Sequence, residues 1–367
     1  MSISVSPISQ VDGRSPREGE SSQSNGEAAT CSPRKLARGA FLGDDLSILR
    51  AVWGPAQMAR LRKWVELPDE LLHSRDLESQ QEYLSKVEVI FGTWNLPRLT
   101  SAQLDLMPRL KAVFYAAGSV KCFAEPLFDR EIKVFSASAA NAIPVAEFTL
   151  SQILFALKSG WQHHRQMREL ASPEGWKEVP IAGAYGSIVG IISLGMIGRK
   201  VCELLAPFRV KKLAFDPVTA ASVFEQLDVR QTSLESVFSE SNVVTLHAPC
   251  LQETEGMITG ELLDSMKPYA TFINTSRGRI VREEEMIEVL KKRQDLTAVL
   301  DVTAQEPPFR ESPLYTLPNV VLLPHITGSK GLETQRMADF MIEEYIQFQQ
   351  GGDLQHQVFP DCLEHLA

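Results

Sequence analysis

Three residues of complementary chemistry, Arg277, Glu306 and His325, each come shortly after a short apolar segment of the kind that forms buried strands. Because the carboxyl ends of parallel strands meet at one edge of a sheet, we expect the three side chains to lie close together. An arginine can hold a carboxylate through two parallel hydrogen bonds, and a histidine can donate or remove a proton. The set therefore indicates acid–base chemistry on a substrate that carries a carboxylate.

Each of these side chains has a separate predicted role. Arg277 can bind a substrate carboxylate and polarise a neighbouring keto oxygen. His325 can give a proton to that oxygen as a hydride arrives, and Glu306 can orient the imidazole and favour its protonated form. Taken singly, they have structural alternatives, namely a strand-end salt bridge, a structural histidine and a solvated loop carboxylate. Their joint placement at strand ends favours the catalytic interpretation.

A strand, a turn and a helix that could hold a cofactor lie between residues 187 and 216. An apolar strand leads into residues 193–198, where a dinucleotide-binding turn would open a helix. Gly195 would let the backbone approach a pyrophosphate, and Gly198 would let the helix pack on the strand. The free amides at the helix start, around Met196 and Ile197, would hold the phosphate charge.

This turn has an acidic residue on the next strand and a serine in place of its first glycine. Asp216 stands at the end of the next predicted strand, 18 residues after Gly198, close to the spacing at which a carboxylate meets the ribose hydroxyls of NAD. Ser193 replaces the first glycine of the G-x-G-x-x-G pattern, so the tight turn must tolerate a side chain. The pattern predicts nucleotide binding, with NAD preferred over NADP. Asp301 is predicted to bind the carboxamide side of the cofactor.

The rest of the chain alternates strand and helix signals, which predicts an α/β fold with two doubly wound parallel-sheet domains. Residues 1–40 contain nine Ser, four Gly and three Pro and no aromatic residue, so we expect a disordered tail. A long helix is predicted at Asn141 to Leu170. His163 and His164 are adjacent in it and point in different directions, which argues against a metal site.

Composition excludes several classes of protein. The net charge of −9 argues against a nucleic-acid or anionic-membrane surface. The five cysteines are scattered, with no C-x-x-C pair, which favours reduced thiols in the cytoplasm over disulfides or a zinc site. No apolar run is expected to reach the length of a membrane span, and the first thirty residues have no hydrophobic signal core.

Several segments in this order resemble the NAD-dependent D-2-hydroxyacid dehydrogenase family over roughly residues 85 to 350. The matching segments are VGIISLGMIGRKV at 189–201, LHAPCLQETEGMI at 246–258, FINTSRGRIV at 272–281, LDVTAQEPP at 300–308 and LLPHITGS at 322–329. The resemblance implies that Arg277, Glu306 and His325 are catalytic. It also implies a flavodoxin-like substrate domain, a Rossmann-like NAD-binding domain and a homodimer.

The resemblance implies further site residues and domain boundaries. Cofactor contacts are expected from Gly195, Met196, Ile197, Asp216, His247, Thr254, Thr275, Asp301 and His325. Backbone amides at Ser119 and Val120 are expected to bind the substrate carboxylate together with Arg277. The expected domains are 41–142 plus 330–367 for the substrate and 143–329 for NAD.

Two departures from the family pattern bear on the substrate. Ser119-Val120 stands where the family usually has a second glycine, which could narrow the pocket. The segment FGTWNLPR at 91–98 has Arg98 as its only basic residue, which favours a small or partly apolar 2-keto acid over a phosphorylated one. Trp94 could line that pocket or belong to the core. The corepressors called C-terminal-binding proteins share this architecture, so an NAD(H)-sensing binding protein is the alternative function.

Overall fold

The computed structural model describes residues 36–365, apart from the side chains of residues 362, 364 and 365. Most of the predicted tail, residues 1–35, lies outside the described residues. Its predicted end at residue 40 was wrong, because the first strand begins at Ala37. This strand pairs with a neighbouring strand on each side. The backbone hydrogen bonds of these two pairings order the strand, although the sequence before it is polar.

Two sheets organise the chain. The strands are β1 Ala37–Phe41, β2 Val65–Glu66, β3 Val89–Gly92, β4 Ala112–Tyr115, β5 Lys133–Ser136, β6 Tyr185–Ile192, β7 Arg209–Phe215, β8 Arg230–Gln231, β9 Val243–Leu246, β10 Thr271–Asn274, β11 Thr297–Leu300, β12 Val320–Leu322 and β13 Gln357–Val358. The first sheet has the order β13-β5-β4-β3-β1-β2, and the second has the order β12-β11-β10-β9-β6-β7-β8.

Helices cover both sheets. They are α1 Leu46–Val52, α2 Pro55–Leu61, α3 Gln81–Leu84, α4 Ser101–Asp105, α5 Glu125–Phe128, α6 Ser138–Ala156, α7 Gly160–Leu170, α8 Met196–Leu204, α9 Ala221–Gln226, α10 Leu234–Glu240, α11 Gly260–Asp264, α12 Glu283–Lys292 and α13 Glu333–Gln350. Short 3₁₀ helices lie at Ser74–Gln80, Pro173–Trp176, Gly278–Ile280, Pro313–Tyr315 and Pro360–His365.

The strand orders identify the fold. Strands β1 to β5 are parallel and follow the flavodoxin-like order 2-1-3-4-5, with β13 added antiparallel to β5 at the edge. Strands β6 to β11 are parallel in the Rossmann order 3-2-1-4-5-6, and β12 extends that sheet beyond β11. The predicted fold class, two doubly wound α/β lobes of these two types, is confirmed.

The last helix of the chain belongs to the core of the first lobe. Phe91, Phe114 and Phe135 stack across neighbouring strands, with ring centroids 5.5 and 4.6 Å apart. Tyr345 of α13 packs edge-on against the first two rings, at 5.2 Å from each. This packing supports the proposed grouping of residues 330–367 with the substrate lobe, although the proposed division at 142/143 falls inside α6.

The predicted helix from Asn141 to Leu170 is two helices. The first helix, α6, ends shortly before Ser159. Ser159 adopts a left-handed backbone (φ 48°), and its hydroxyl donates to the Pro180 carbonyl at 2.7 Å. This long-range contact could not be predicted from helical periodicity. The break turns the chain into α7.

The expectation that no apolar segment reaches membrane-spanning length was wrong for the described residues. Helix α6 is long and apolar enough by length and composition, and 44% of its apolar window is buried in the protein. It packs against α8 and α13, as a core helix between two lobes does. Its apolar character is accounted for by this packing.

Candidate functional site

The turn between β6 and α8 has the backbone of a dinucleotide-binding turn. A Cβ on Gly198 would lie 2.1 Å from the Ser193 carbonyl oxygen, so only glycine lets the helix approach the turn. A Cβ on Gly195 would meet nothing nearer than 3.9 Å, so the turn is open on that side. The amides of Gly195, Met196 and Ile197 have no acceptor within residues 36–365. They are therefore available to phosphate oxygens.

Asp216, at the carboxyl end of β7, holds this turn through hydrogen bonds to its backbone. One carboxylate oxygen accepts from the Leu194 amide at 2.7 Å, and the other accepts from the Val218 and Thr219 amides at 2.9 Å each. Burial raises the pKa of this carboxyl, but the amide hydrogen bonds outweigh burial and the pKa is lowered. A buried, ionised carboxylate thus stands where the ribose contact is predicted.

Ser193 has the left-handed backbone that the first glycine of the pattern normally adopts, with φ 75°. Its hydroxyl lies 3.4 Å from Asp216 Oδ2, the oxygen that also accepts from the Leu194 amide. The turn therefore keeps the expected backbone path despite the missing glycine. A serine in this conformation costs on the order of 1 kcal/mol relative to its preferred backbone.

His247 adjoins the turn, because its amide donates to the Ile192 carbonyl at 2.9 Å. The side chain is buried, and burial lowers its pKa to about 3, so the imidazole is neutral. Nε2 lies 3.0 Å from the Thr245 hydroxyl, whereas the buried Nδ1 has no partner in the described part of the chain. An orphaned ring nitrogen beside the nucleotide turn is a position that a ligand could satisfy.

Two predicted cofactor contacts are engaged elsewhere. The Thr254 hydroxyl donates to the Pro249 carbonyl at 2.6 Å and so closes its own loop. The Thr275 hydroxyl is buried and lies 3.4 Å from the Thr149 hydroxyl of α6. Both hydroxyls have partners within the protein, and their contacts with the cofactor stay predictions.

A dinucleotide fits the residues of this lobe. Gly195 leaves the front of the turn open, the first α8 amides can meet phosphate, and Asp216 can meet ribose. When bound, NAD(H) would supply or accept a hydride.

Arg277 extends from a turn that its neighbours hold rigid. The Asn274 side chain accepts from the Ser276 amide at 3.0 Å and donates to the Arg277 carbonyl at 3.2 Å. The guanidinium donates to the adjacent Ser276 carbonyl at 2.7 Å. Among the described residues it forms no ion pair. Its remaining donors are therefore available for a carboxylate and a carbonyl oxygen.

Gly278, a residue that sequence reasoning did not single out, joins the arginine turn to the loop after β11. A Cβ there would lie 1.9 Å from the Thr303 carbonyl carbon and 2.3 Å from the Ala304 nitrogen. The two loops can approach this closely only with glycine. Since the second loop continues to Glu306, this contact fixes Arg277 relative to the acid–base pair.

His325 and Glu306 form the pair that their residue types predict. His325 Nδ1 lies 2.6 Å from Glu306 Oε2, and both side chains are partly exposed. Nε2 has no partner in the described part of the chain and is free to face a substrate. His325 follows β12, and Glu306 follows the neighbouring strand β11. Strand β10, on the other side of β11, leads to Arg277. The structure thus brings all three predicted catalytic residues to three adjacent strand ends, which lie about 4.8 Å apart.

Asp301 supports the histidine loop. Its buried carboxylate accepts from the Ile326 amide at 2.8 Å, from the Thr327 amide at 3.0 Å and from the Thr327 hydroxyl at 2.6 Å. The Asp301 carbonyl also accepts from the His325 amide at 3.0 Å, where His325 has a left-handed backbone (φ 53°). The predicted contact with the cofactor carboxamide competes with these bonds. Positioning of His325 is the role that the geometry supports.

The predicted carboxylate-binding loop follows β4 in the first lobe. The Gly118 carbonyl accepts from the hydroxyls of Ser136 at 2.6 Å and Ser138 at 3.0 Å. In a trans peptide the N–H points opposite to the carbonyl, so the Ser119 amide is directed away from these serines. Within residues 36–365 neither this amide nor that of Val120 has an acceptor. Ser119 is partly exposed, so its amide is a free donor at the carboxyl end of the strand, whereas Val120 is fully buried and its amide is not exposed.

Asn141, also missed from the sequence, connects the loops of the two lobes. Its side-chain oxygen accepts from the Ser329 amide at 2.9 Å, in the loop that carries His325. Its side-chain nitrogen lies 3.6 Å from the position of a Cβ on Gly118. The only sequence signal was its place just after β5, at the same sheet edge. Ser329 is 188 residues away, so the contact itself had no local signature.

Comparison with known proteins identifies the family of the chain. The family model described as D-isomer specific 2-hydroxyacid dehydrogenase, NAD binding domain, matches residues 150–327. A glyoxylate reductase of Korarchaeum cryptofilum is 32% identical over 250 residues, which cover 67% of this chain and 75% of that protein. A D-3-phosphoglycerate dehydrogenase of Archaeoglobus fulgidus is 29% identical over 237 residues, 64% of this chain but only 44% of that protein.

A solved structure shares the fold. The D-isomer specific 2-hydroxyacid dehydrogenase of Lactobacillus delbrueckii ssp. bulgaricus, in its NAD complexed form, has a TM-score of 0.71 and 19% identity, covering 88% of this chain and 100% of that one. At this identity the similarity shows the fold alone. The matched domain is the NAD-binding one, so NAD is the cofactor. With the relative that is 32% identical over most of its own length, these findings place the chain in the D-isomer specific 2-hydroxyacid dehydrogenase family.

Proposed function

We propose that this protein is an NAD(H)-dependent oxidoreductase that interconverts a 2-keto acid and a D-2-hydroxy acid. The observation that carries the proposal is the 2.6 Å contact between His325 and Glu306, which follow strands next to the one that leads to Arg277, whose guanidinium forms no ion pair within residues 36–365. Family membership supports an oxidoreductase of this class.

The protein groups divide the work as follows. Arg277 binds the substrate carboxylate and polarises the keto oxygen, while the free amide of Ser119 holds the carboxylate from the other lobe. As hydride reaches the keto carbon, the carbonyl π electrons move to oxygen, and His325 Nε2 delivers its proton there. Glu306 accepts from Nδ1 and stabilises the imidazolium. The oxidation runs through the same groups in reverse.

The substrate that we propose is small or partly apolar and carries no phosphate. Arg98, the only basic residue of the 91–98 segment, forms an ion pair with Glu125 at 2.6 Å. It is therefore engaged rather than free to meet a phosphate. Trp94 packs against both hydrophobic clusters of the first lobe, which favours a core role with one edge left for the pocket.

The proposal is tested by NADH oxidation with glyoxylate, hydroxypyruvate, pyruvate and phenylpyruvate, and with 3-phosphohydroxypyruvate as the phosphorylated comparison. We expect turnover with at least one unphosphorylated acid at a higher kcat/KM than with the phosphorylated one. NADH binding without turnover of any acid would contradict an enzyme and support the NAD(H)-sensing binding protein instead.

We also propose a homodimer. Large exposed apolar side chains concentrate in residues 155–185, namely Phe155, Met167, Leu170, Trp176, Ile181 and Tyr185. Trp176 is 79% exposed and Tyr185 is 77% exposed, which is unusual for an isolated monomer. Sedimentation should give twice the chain mass of 40.8 kDa. A monomer at micromolar concentration would contradict this assignment.

A cytoplasmic location fits the free thiols of Cys122, Cys202 and Cys250 and stays a prediction.

A further inference from the structure

We infer that Ser193 determines how tightly this chain holds the adenosine half of NAD(H), because its hydroxyl competes with the ribose for the Asp216 carboxylate. The inference rests on the ribose contact that Asp216 is proposed to make. Ser193 is the position at which the chain departs from the usual glycine pattern, so substitutions there should change NADH affinity.

The Asp216 carboxylate can accept only a limited number of hydrogen bonds. An ionised carboxylate offers about four acceptor positions, two on each oxygen. The Val218 and Thr219 amides fill both positions of Oδ1, at 2.9 Å each. The Leu194 amide fills one position of Oδ2 at 2.7 Å. At most one position, on Oδ2, is therefore left, and the Thr219 hydroxyl is a further donor to this carboxylate.

The Ser193 hydroxyl faces this last position. It lies 3.4 Å from Oδ2, a long contact that a ribose hydroxyl at ordinary distance would outcompete. The Ser193 hydroxyl oxygen is also the nearest atom, at 3.9 Å, to a Cβ built on Gly195. Because Gly195 is the residue at which a pyrophosphate must approach, the hydroxyl lies on the ligand side of the turn.

The backbone holds the hydroxyl in this place. With φ 75°, Ser193 is confined to the left-handed region, and its amide donates to the Phe215 carbonyl at 2.9 Å. Its carbonyl is packed against Gly198, where a Cβ would lie within 2.1 Å. The residue cannot shift away as a unit. The ribose must therefore turn the hydroxyl aside or accept a poorer contact with Asp216.

Two substitutions separate the hydroxyl from the backbone. Ser193→Ala removes the hydroxyl and keeps the left-handed strain, whereas Ser193→Gly removes both. We expect each variant to bind NADH roughly 3- to 10-fold more tightly, the range that one hydrogen bond supplies. Binding is measured by fluorescence titration of NADH and by calorimetry with AMP, which carries only the adenosine end. Both assays omit the 2-keto acid, so failure of the proposed reaction would leave the result intact.

The Asp216→Asn background provides the matched control. There the carboxylate is absent, so Ser193→Ala should change NADH affinity less than about twofold. The melting temperature of each variant, followed without ligand, reports whether the turn still folds. Relief of strain and the added chain entropy of glycine nearly offset each other, so we expect shifts of only a few degrees.

Three outcomes would overturn the inference. Weaker NADH binding in Ser193→Ala would mean that the hydroxyl assists the ribose. A gain in Ser193→Gly alone would assign the effect to backbone strain. Unchanged affinity for NADH and AMP in both variants would mean that the hydroxyl does not meet the adenosine half at all.

Discussion

Arg277→Ala is expected to lower kcat/KM for the best 2-keto acid by roughly 10²- to 10⁴-fold, the equivalent of losing two charge-assisted hydrogen bonds. The guanidinium has a single protein partner among the described residues, the Ser276 carbonyl, so its other donors are those that the substrate would use. NADH affinity should change less than about twofold, because the nucleotide turn is built from different strands. Steady-state kinetics and NADH titration measure the two effects separately.

Two further variants sharpen this prediction. Arg277→Lys keeps the charge but loses the planar fork, so an intermediate loss is expected. Arg279→Ala is the matched control, since Arg279 is exposed and paired with Glu255 at 2.7 Å. Near-normal turnover in Arg277→Ala, or an equal loss in Arg279→Ala, would remove Arg277 from the substrate site.

His325→Gln is expected to reduce kcat by roughly 10²- to 10⁴-fold, the contribution of a positioned general acid. Glutamine keeps a hydrogen-bonding side chain of similar reach but cannot deliver the proton. Glu306→Gln should cost less, roughly 10- to 100-fold, because the imidazole remains and loses only its charged partner at 2.6 Å. Both losses should appear in kcat, with KM for the keto acid little changed.

The pair also predicts non-additivity. If Glu306 acts through His325, the double variant should be about as slow as His325→Gln alone. His164→Gln, an exposed histidine on α7, should retain full activity. Multiplying losses in the double variant would indicate that Glu306 has an independent role.

The strand-end rule predicted that three residues would gather at one sheet edge because it depends only on topology, and their catalytic roles stay predictions. Arg277, Glu306 and His325 follow neighbouring strands, and any parallel sheet gathers such residues. The direction in which a side chain turns was not predictable in this way. Asp301 lies at the expected strand end, but its carboxylate is used by the backbone of residues 326 and 327.

Other differences have the same physical origin. The Thr254 hydroxyl donates to the Pro249 carbonyl of its own loop, a contact that the predicted cofactor role did not anticipate. Asn141 and Gly278 act through contacts with Ser329 and Thr303, which no local pattern records. The turn at Ser193 was predicted as irregular, and the structure adds its left-handed backbone and its contact with Asp216.

The central claim, hydride transfer to a 2-keto acid held by Arg277 and protonated by His325, is tested most directly with NADH that carries deuterium at both C4 positions of the nicotinamide and with a keto acid whose hydroxy product is chiral, such as pyruvate or phenylpyruvate. We expect one deuterium at C2 of the product per NADH oxidised and the D-configuration by chiral chromatography, with the signal abolished in Arg277→Ala. Product without deuterium, product of L-configuration, or NADH loss that survives in Arg277→Ala would contradict it.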